Sequence, residues 1–263
     1  MNFKLNTNDP FEIHEIDHLS PSSINTFIQN KEVWIMRYLF KYKNGGSPAM
    51  WRGTVVDHAI GSLLFENREE EAILESSKKE FVNHYEKCLK DYPDQIIEPS
   101  QVLKEQTALP KYLRTAFDFY KTLGKPTDYQ KKVEYFTEEV PIPIIGYIDL
   151  QYENIIRDIK TTGRMPSEVS SAHARQLSVY AKAEDCMPVL DYVYVTTKKA
   201  EVVTLRVTDV DKHIKEVEKV ALAIMRLLSY SNDKYEIANL SYPDYDSWMW
   251  SDQEKEFART IWS

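Results

Sequence analysis

Residues 144–160 decide the fold, and they read IIGYIDLQYENIIRDIK. On both sides of the central Glu-Asn pair, apolar residues alternate with polar ones, which is typical of two half-buried strands joined by a tight turn. A two-residue turn at positions 153 and 154 fixes the register of the two strands. The sequence therefore predicts a β-hairpin that places Asp149 directly opposite Asp158.

Asp149 and Asp158 are candidate metal ligands. Facing Cβ atoms in an antiparallel pair lie about 4.5–5.5 Å apart, so two carboxylates there repel each other unless a cation lies between them. Hard oxygen ligands suit Mg²⁺ or Mn²⁺. Lys160 is two residues beyond Asp158 and shares its strand face, where an ammonium can position an attacking water and stabilise charge on a phosphate. A longer turn would shift this register, and the alternative is a surface hairpin with an ordinary Asp158–Lys160 ion pair.

The flanking sequence predicts a mixed sheet with helices around it. Residues 132–140 form another candidate strand, residues 166–185 are patterned as a helix, and two more candidate strands follow at 191–196 and 201–207. The order helices, then β-β-β-α-β-β, then a helix indicates an α/β or α+β domain.

The domain organisation follows from the same patterns. Residues 1–19 are polar without clear periodicity and are predicted to form an N-terminal arm or a poorly ordered end. A single domain is predicted over residues 20–263. Within it, the Glu- and Lys-rich stretch at about 66–130 is expected to be a helical insertion, and the catalytic core is expected at about 131–230.

Composition excludes several classes of protein. The chain has seven glycines and neither a GxxxxGK[ST] nor a GxGxxG motif, which disfavours a P-loop or dinucleotide-binding site. Cys88 and Cys186 are far apart, and no apolar run is long enough to cross a bilayer, so we expect a cytoplasmic protein without a membrane partner. The net charge of −8 lowers the expectation for nucleic acid, although a nuclease needs clustered carboxylates and only a local basic groove.

Three further residues are candidates for the same site. His58 follows Arg52 and a threonine on a predicted helix, and a neutral imidazole is a suitable third ligand for a metal held by two carboxylates. Gln176 and Tyr180 are four residues apart, so they share one helix face and could contact Lys160 or a phosphate. Each of these residues, taken alone, is more often an ordinary helix residue.

Together these motifs resemble the RecB-like and phage-exonuclease branch of the PD-(D/E)XK nuclease superfamily, which also includes CRISPR spacer-acquisition nucleases. The resemblance spans roughly residues 20–180 and rests on five motifs in the same order as in the family. They are Ser20-Pro21-Ser22-Ser23-Ile24, Arg52-Gly53-Thr54 with His58, Gly146-Tyr147-Ile148-Asp149, Asp158-Ile159-Lys160-Thr161, and Gln176-Leu177-Ser178-Val179-Tyr180. The resemblance implies a restriction-endonuclease-like core with a mixed central sheet flanked by helices.

The resemblance also implies roles for individual residues. His58, Asp149 and Asp158 would ligate the metal together with the main-chain carbonyl of Ile159, and Lys160 would be the catalytic lysine. Gln176 and Tyr180 would support the lysine and the substrate. Substrate-binding residues would be Arg52, Thr54, Thr161, Arg175 and Tyr180. Either Glu138 or Glu139 stands where members often have an acidic residue on the preceding strand, and the sequence leaves that choice open.

The cysteines that hold an iron–sulfur cluster in many relatives are missing from this sequence. Those relatives hold the cluster through a cysteine near the first helix and three near the C-terminus, whereas residues 29–32 and 247–253 contain no cysteine here. We therefore expect no iron–sulfur cluster and predict that Trp248 and Trp250 hold the C-terminal segment by packing.

The resulting hypothesis is a Mg²⁺- or Mn²⁺-dependent DNA exonuclease. It would hydrolyse single-stranded DNA or DNA ends during phage or bacterial DNA recombination, repair or processing, with a recombination or replication protein as a potential partner. Two alternatives stay open: a structure-specific endonuclease of the same fold, and a non-catalytic DNA-binding recombination partner. The paired carboxylates and the lysine favour an enzyme over the last of these.

Overall fold

A computed structural model describes residues 9–66 and 68–263. Its centre is a five-stranded sheet whose strand order follows the chain. The strands are β1 (Asp128–Tyr135), β2 (Ile144–Tyr152), β3 (Ile155–Thr162), β4 (Met187–Val195) and β5 (Ala200–Arg206). The neighbouring pair β3–β4 is parallel and the other pairs are antiparallel, so the sheet is mixed, as predicted.

Helices cover both faces of this sheet. They are α1 (Pro10–Ile13), α2 (Pro21–Gln29), α3 (Lys31–Trp34), α4 (Pro48–Phe65), α5 (Glu70–Asp91), α6 (Pro99–Leu123), α7 (Ser171–Glu184), α8 (Val210–Leu228), α9 (Lys234–Ala238) and α10 (Asp252–Ile261). A π-helical turn, Ile35–Leu39, continues α3. The region predicted as a helical insertion supplies α5, α6 and the start of β1. Within the described residues, no helix combines the length and apolar character needed to cross a membrane.

Two hydrophobic cores lie on opposite sides of the sheet. On one side, α2, α7 and α8 pack with Ile156 of β3 and its neighbours. On the other, α4, α5 and α6 pack with Ile159 of β3 and Leu150 of β2. Residues 156 and 159 can serve different cores because successive strand residues point to opposite faces. Burial of apolar surface on both faces holds β3, and the residues it carries, in the middle of the molecule.

Residues 9–19 do not form the predicted arm. Phe11 is fully buried and Leu19 is 1% exposed. The backbone of Leu19 also joins the sheet, since its N–H donates to Pro143 and its carbonyl accepts from Ile145. Sparse apolar residues without a helical or strand period give no sequence signal, yet burying them against the sheet stabilises this segment. The first eight residues of the predicted arm lie outside the described residues.

The C-terminal segment is held by one of the two tryptophans predicted to hold it. Trp250 is 4% exposed and belongs to the core, whereas Trp248 is 90% exposed, so the prediction for Trp248 is wrong. The segment then enters α10 through a reciprocal capping arrangement of Ser251 and Glu254. Glu254 is nearly buried and forms an ion pair with Arg37, which ties α10 to the N-terminal helices.

The two tryptophans should therefore differ in their effect on stability. Trp250→Ala should lower the free energy of unfolding by about 3–5 kcal/mol, because it empties a large core position. Trp248→Ala should change it by less than about 0.5 kcal/mol, because the side chain is in solvent. Urea unfolding followed by circular dichroism measures both, and an equal loss in the two variants would contradict this assignment.

Candidate active site

The site lies where the sheet opens around Asp149. The β2–β3 pairing matches the predicted register and ends at Leu150 and Arg157. On the other side, the β1–β2 pairing is continuous except that Gln130 and Asp149 are not paired. Gln130 has a positive φ of 49°, an unusual conformation for a residue in a strand. Asp149 is thus left out of both ladders, and its carboxylate Oδ2 accepts a hydrogen bond of 2.7 Å from the backbone N–H of Ile159 instead.

Asp158, Lys160, Gln176 and Tyr180 come together beside this opening. The Asp158 side chain is 2% exposed, and its Oδ2 is ion-paired with Lys160 Nζ. Gln176 on α7 donates to Asp158 Oδ1 and to the Tyr180 hydroxyl, both at 3.0 Å. Tyr180 is buried against Gly146, where a Cβ would overlap the Tyr180 ring. The motifs around residues 146, 158 and 176 therefore meet in one cluster.

Lys160 is a cation in this arrangement. Burial alone would lower its pKa, but the charges of Asp158 and Asp149 outweigh burial and raise the pKa above the ordinary lysine value. The side chain is nevertheless 30% exposed, so its ammonium is accessible from solvent. Lys160 therefore holds its proton at neutral pH, so it contributes positive charge to the site and is not a base.

Asp57 is a member of the site that the sequence interpretation missed. Its Oδ2 accepts hydrogen bonds of 2.6 Å from Gln130 Nε2 and 3.3 Å from the Tyr129 hydroxyl. The same Gln130 nitrogen lies 3.2 Å from Asp149 Oδ1, so one amide group joins the two carboxylates. Within the described residues, the second carboxylate oxygen of Asp57, Oδ1, is buried without a hydrogen-bond partner. Such an oxygen is available to a cation.

The position of Asp57 follows from how α4 packs on the sheet. A Cβ at Gly61 would overlap the ring of Tyr129 on β1, and one at Gly53 would lie 3.6 Å from Thr161 Oγ1 on β3. Residues 53, 57 and 61 are four apart, so the helix face that carries both glycines also carries Asp57. The small residues let α4 approach the sheet closely. Their spacing is the sequence signal that would have identified Asp57.

His58, the predicted third ligand, lies on a different face of α4. Its Nδ1 is 2.6 Å from Glu80 Oε1 on α5, and the side chain is 52% exposed. Among the described residues it makes no hydrogen bond or ion pair with Asp149, Asp158 or Lys160. The structure therefore brings Asp57, and not His58, to the paired carboxylates. A single helix turn can present either residue, and the sequence alone did not orient α4, so the role of His58 as a metal ligand stays a prediction.

Asp57 and Asp149 both have raised pKa values. Burial is the largest influence on Asp57 and raises its pKa to about 6; His58 opposes this change and Asp158 adds to it. Burial also raises the pKa of Asp149 well above its ordinary value, and the charges of Asp158 and Asp57 raise it further. Lys160 supplies one positive charge against this group. A divalent cation would supply the remaining charge.

The donor set suits a hard divalent cation, although the carboxylates are not gathered around a ready position for one. Within the described residues, no three His, Cys, Asp or Glu side chains have the arrangement of a metal site. The Gln130 amide lies between Asp57 and Asp149, and Lys160 occupies one oxygen of Asp158. The unpartnered oxygen of Asp57 and the carboxylate chemistry fit Mg²⁺ or Mn²⁺, which prefer oxygen ligands.

Asp57 should destabilise the metal-free protein at neutral pH. A carboxyl group with a raised folded-state pKa favours folding fully only below its ordinary pKa of 3.8, and this contribution is lost as the pH rises through about 6. At about 1.4 kcal/mol per pH unit, Asp57→Asn should be more stable than the wild type by about 3 kcal/mol at pH 8 in EDTA. Chemical unfolding at pH 8 and pH 4 measures this gain. A gain that persists unchanged at pH 4 would contradict it.

Of the predicted substrate-binding residues, Arg52 and Thr161 contact each other, whereas Thr54 is exposed. Arg52 is 7% exposed, and its guanidinium contacts the Thr161 hydroxyl at 3.2 Å, the Glu105 carboxylate and the Tyr112 ring. Arg52 and Thr161 thus contact each other and line a groove between α4 and α6. Thr54 is exposed, and its hydroxyl donates to the carbonyl of Met50 one turn earlier.

Two other predictions are not supported by the geometry. Arg175 is 8% exposed and binds Asn25 on α2 and Glu216 on α8, so it joins three helices and is not free to meet a substrate. Glu138 and Glu139 are exposed and follow β1, which ends at Tyr135, so neither is on the preceding strand. The predicted strand at 132–140 began and ended too late, since β1 spans Asp128–Tyr135.

Comparison with known proteins defines the class. A family model of the PD-(D/E)XK nuclease superfamily matches residues 18–241, and the chain belongs to that superfamily. Its members are nucleases that generally use divalent metal ions. The predicted superfamily and fold class are therefore confirmed, and the RecB-like branch stays a prediction.

Solved structures agree on the fold. A candidate exonuclease from Eubacterium rectale is 13% identical with a TM-score of 0.55, and the match covers 97% of this chain and 94% of that one. A second structure, described as SSO0001, is 15% identical and covers 65% of this chain and 84% of that one, but its TM-score of 0.33 is too low to support an argument. No curated protein matches the chain significantly.

Proposed function

We propose that this protein is a divalent-metal-dependent DNA exonuclease that degrades single-stranded DNA or DNA ends. The observation that carries the proposal is the cluster of Asp57, Asp149, Asp158 and Lys160 at the opening between β2 and β3. Asp158 is buried and Asp57 and Asp149 are partly exposed, and one lysine does not balance three carboxylates, which supports a bound cation. The fold shared with a candidate exonuclease supports the exonuclease activity in particular.

Different residues of the site would have different roles in phosphodiester hydrolysis. Asp57, Asp149 and Asp158, with the main-chain carbonyl of Ile159, would hold Mg²⁺ or Mn²⁺. The bound ion would activate water for attack and neutralise charge on the phosphate. The Lys160 ammonium would stabilise the negative charge that develops on a non-bridging oxygen. Gln176 holds the Asp158 carboxylate in place, and Tyr180 holds Gln176, so both are positioning residues.

The biological setting is part of the proposal. The five sequence motifs resemble those of the RecB-like branch, and a role in phage or bacterial DNA recombination, repair or processing would fit that branch. The protein would work in the cytoplasm of the bacterial or phage-infected cell, with a recombination or replication protein as its potential partner. The lack of cysteine at residues 29–32 and 247–253 supports a site that works without an iron–sulfur cluster.

The activity is tested with end-labelled linear DNA and closed circular single-stranded DNA. With Mg²⁺ or Mn²⁺, the purified protein should shorten linear single strands or duplex ends progressively and leave circles intact, and EDTA should abolish the reaction. Cutting of circles would identify an endonuclease of the same fold. Binding of DNA without cleavage under any metal would identify a non-catalytic DNA-binding protein. An RNA strand of the same sequence, included in parallel, tests the preference for DNA.

A further inference from the structure

The candidate active site opens into a cavity of about 450 Å³ that lies between β2, the start of α2 and α7. We call it the Tyr147 cavity and define it by Ser22, Lys132, Tyr147, Asp149, Gln176 and Tyr180. Asp149 lines the cavity directly, and Gln176, another lining residue, donates to the Asp158 carboxylate. A molecule in this cavity therefore lies against the residues of the site itself.

Two tyrosines of the described chain line the cavity, and only one of them is exposed. Tyr180 is 4% exposed and is hydrogen-bonded to Gln176. Tyr147 is 51% exposed and makes no hydrogen bond or ring–ring contact with the other described residues. It is two residues before Asp149, a distance of about 6–7 Å along a strand. An exposed aromatic ring is thus held next to a proposed metal ligand.

The part of β2 that carries Tyr147 lies at an opening of the sheet. Among the described residues, β2 is paired with β3 only from Leu150 to Tyr152, so at Tyr147 it is paired with β1 alone. Its direct partner on β1 is Lys132, which lines the same cavity. Facing residues of two paired strands present their side chains on the same face, so the ring and the ammonium group are neighbours.

Lys132 can supply positive charge to a phosphate in the cavity. Its Nζ lies 2.6 Å from Glu134 Oε1, and both side chains are about half exposed. An exposed pair of this kind contributes little to stability, so a phosphate can replace Glu134 as the partner of the lysine. Of the two acids that line the cavity, Asp17 is paired with a neighbouring histidine and Asp149 is a proposed metal ligand.

The chemistry of the cavity fits an unpaired nucleotide. Any base can stack on an aromatic ring through its π-face, while a lysine holds the phosphate, as in other single-strand binding sites. Ser20 and Ser22 also line the cavity and have hydroxyl groups that can donate to phosphate or sugar oxygens. Inside a duplex, neighbouring bases cover both faces of each base. Only an unpaired base can therefore lie against Tyr147.

We propose that the Tyr147 cavity binds an unpaired nucleotide next to the scissile phosphate, with its base stacked on Tyr147 and a phosphate held by Lys132. The inference rests on the proposed function for the position of the cut, and it adds that the active site selects unpaired over paired nucleotides. Tyr147 is then a substrate-positioning residue. Its contact with the base is the same before and during the reaction, so it acts on KM and not on kcat.

The test removes the ring and the bases separately. Fluorescence anisotropy in EDTA, which prevents metal-dependent cleavage, measures the binding of a labelled single strand and of an abasic strand of the same length. Tyr147→Ala should bind the normal strand at least about fivefold more weakly, since loss of one base–aromatic stack has an effect of this size or larger. It should bind the abasic strand like the wild type, and the difference isolates the contact between ring and base.

Three further variants control for folding and position. Tyr147→Val removes the ring but keeps a residue that favours strands, so it should show the same base-dependent loss with β2 intact. Tyr147→Phe keeps the ring and should bind both strands like the wild type. Tyr242→Ala removes a tyrosine that is 71% exposed and lies outside the cavity, so it should also bind both strands like the wild type.

Lys132→Ala should have a different signature from the tyrosine variants. It should weaken binding of the normal and the abasic strand equally, because both keep their phosphates. The slope of log K against log salt should fall by about 0.7, the value for one lost phosphate contact on a single strand. Lys87→Ala, on the exposed surface of α5 and outside the cavity, should leave affinity and slope unchanged.

Three binding results would overturn the inference. They are equal affinity of the wild type for normal and abasic strands, an equal loss of both strands in Tyr147→Ala, and a loss in Tyr242→Ala as large as that in Tyr147→Ala. A lower kcat at unchanged KM in Tyr147→Ala would also overturn it, because a positioning contact with the base acts on KM.

Cleavage in Mn²⁺ separates failure of this inference from failure of the proposed function. Tyr147→Ala should cleave the normal strand with a KM raised at least about fivefold and a wild-type kcat. If the wild type cleaves no strand but Tyr147→Ala still shows the base-dependent loss of binding, the proposed function fails and the nucleotide site stands. If the wild type cleaves and Tyr147→Ala binds and cleaves in the same way, the nucleotide site fails and the proposed function stands.

Discussion

Lys160→Ala should reduce the rate of metal-dependent DNA cleavage by about 10²- to 10³-fold in kcat. The reason is that the Lys160 ammonium is the accessible cation of the site and would stabilise charge on the phosphate in the transition state. The effect should appear in kcat rather than in KM, because the interaction strengthens as charge develops. Single-turnover cleavage of an end-labelled single strand in Mg²⁺ measures it.

Control variants separate a catalytic effect of Lys160→Ala from a loss of folding. Removing the lysine leaves Asp158 without its ion pair, and breaking a buried pair can destabilise a protein by about 3–5 kcal/mol. Lys160→Arg keeps a positive charge beside Asp158 and should melt near the wild-type temperature, yet it should still cleave more slowly because guanidinium and ammonium groups differ in shape. Lys87→Ala, on the exposed surface of α5, should cleave like the wild type. A folded Lys160→Ala protein with a kcat within about threefold of the wild type would show that the lysine has no catalytic role.

Asp57→Ala should impair metal binding and cleavage, whereas His58→Ala should leave both nearly unchanged. Asp57→Ala should weaken Mn²⁺ binding at least about tenfold and slow cleavage at least about 10²-fold, since loss of a supporting group alone commonly has effects of 10- to 100-fold. His58→Ala should keep both properties within about threefold, because the imidazole is bound to Glu80 and exposed. Isothermal titration with Mn²⁺ and the cleavage assay are made on the same preparations. The reverse pattern would make His58 the ligand and Asp57 a positioning residue.

Much of the hairpin could be predicted because its determinants are local. Strict alternation and a two-residue turn fix the register, so the strand positions of Asp149 and Asp158 follow from a few neighbouring residues. The shared face of Asp158 and Lys160 follows from the two-residue period of a strand. The four-residue spacing of Gln176 and Tyr180 gave their common face on a helix, and both indeed contact one another beside Asp158.

What could not be predicted depends on packing between distant segments. The position of Asp57 beside Gln130 depends on Gly61 packing on Tyr129, a contact across the insertion whose local sign is only the four-residue spacing of Gly53, Asp57 and Gly61. The opening of the sheet at Asp149 depends on the positive φ of Gln130, a residue type with no preference for that conformation. Likewise, Arg175 reads as a free cation in the sequence, and only the positions of Asn25 and Glu216 show that it is a structural link.

Metal titration tests the central claim most directly. Wild type and the double variant Asp149→Asn/Asp158→Asn are titrated with Mn²⁺ while metal occupancy and cleavage of a single-stranded oligonucleotide are measured in the same samples. We predict that wild-type cleavage rises in parallel with metal occupancy and that the variant, still folded, neither binds Mn²⁺ in this range nor cleaves DNA. Cleavage in EDTA, or cleavage by the variant at the wild-type rate, would contradict a metal-dependent site formed by these carboxylates.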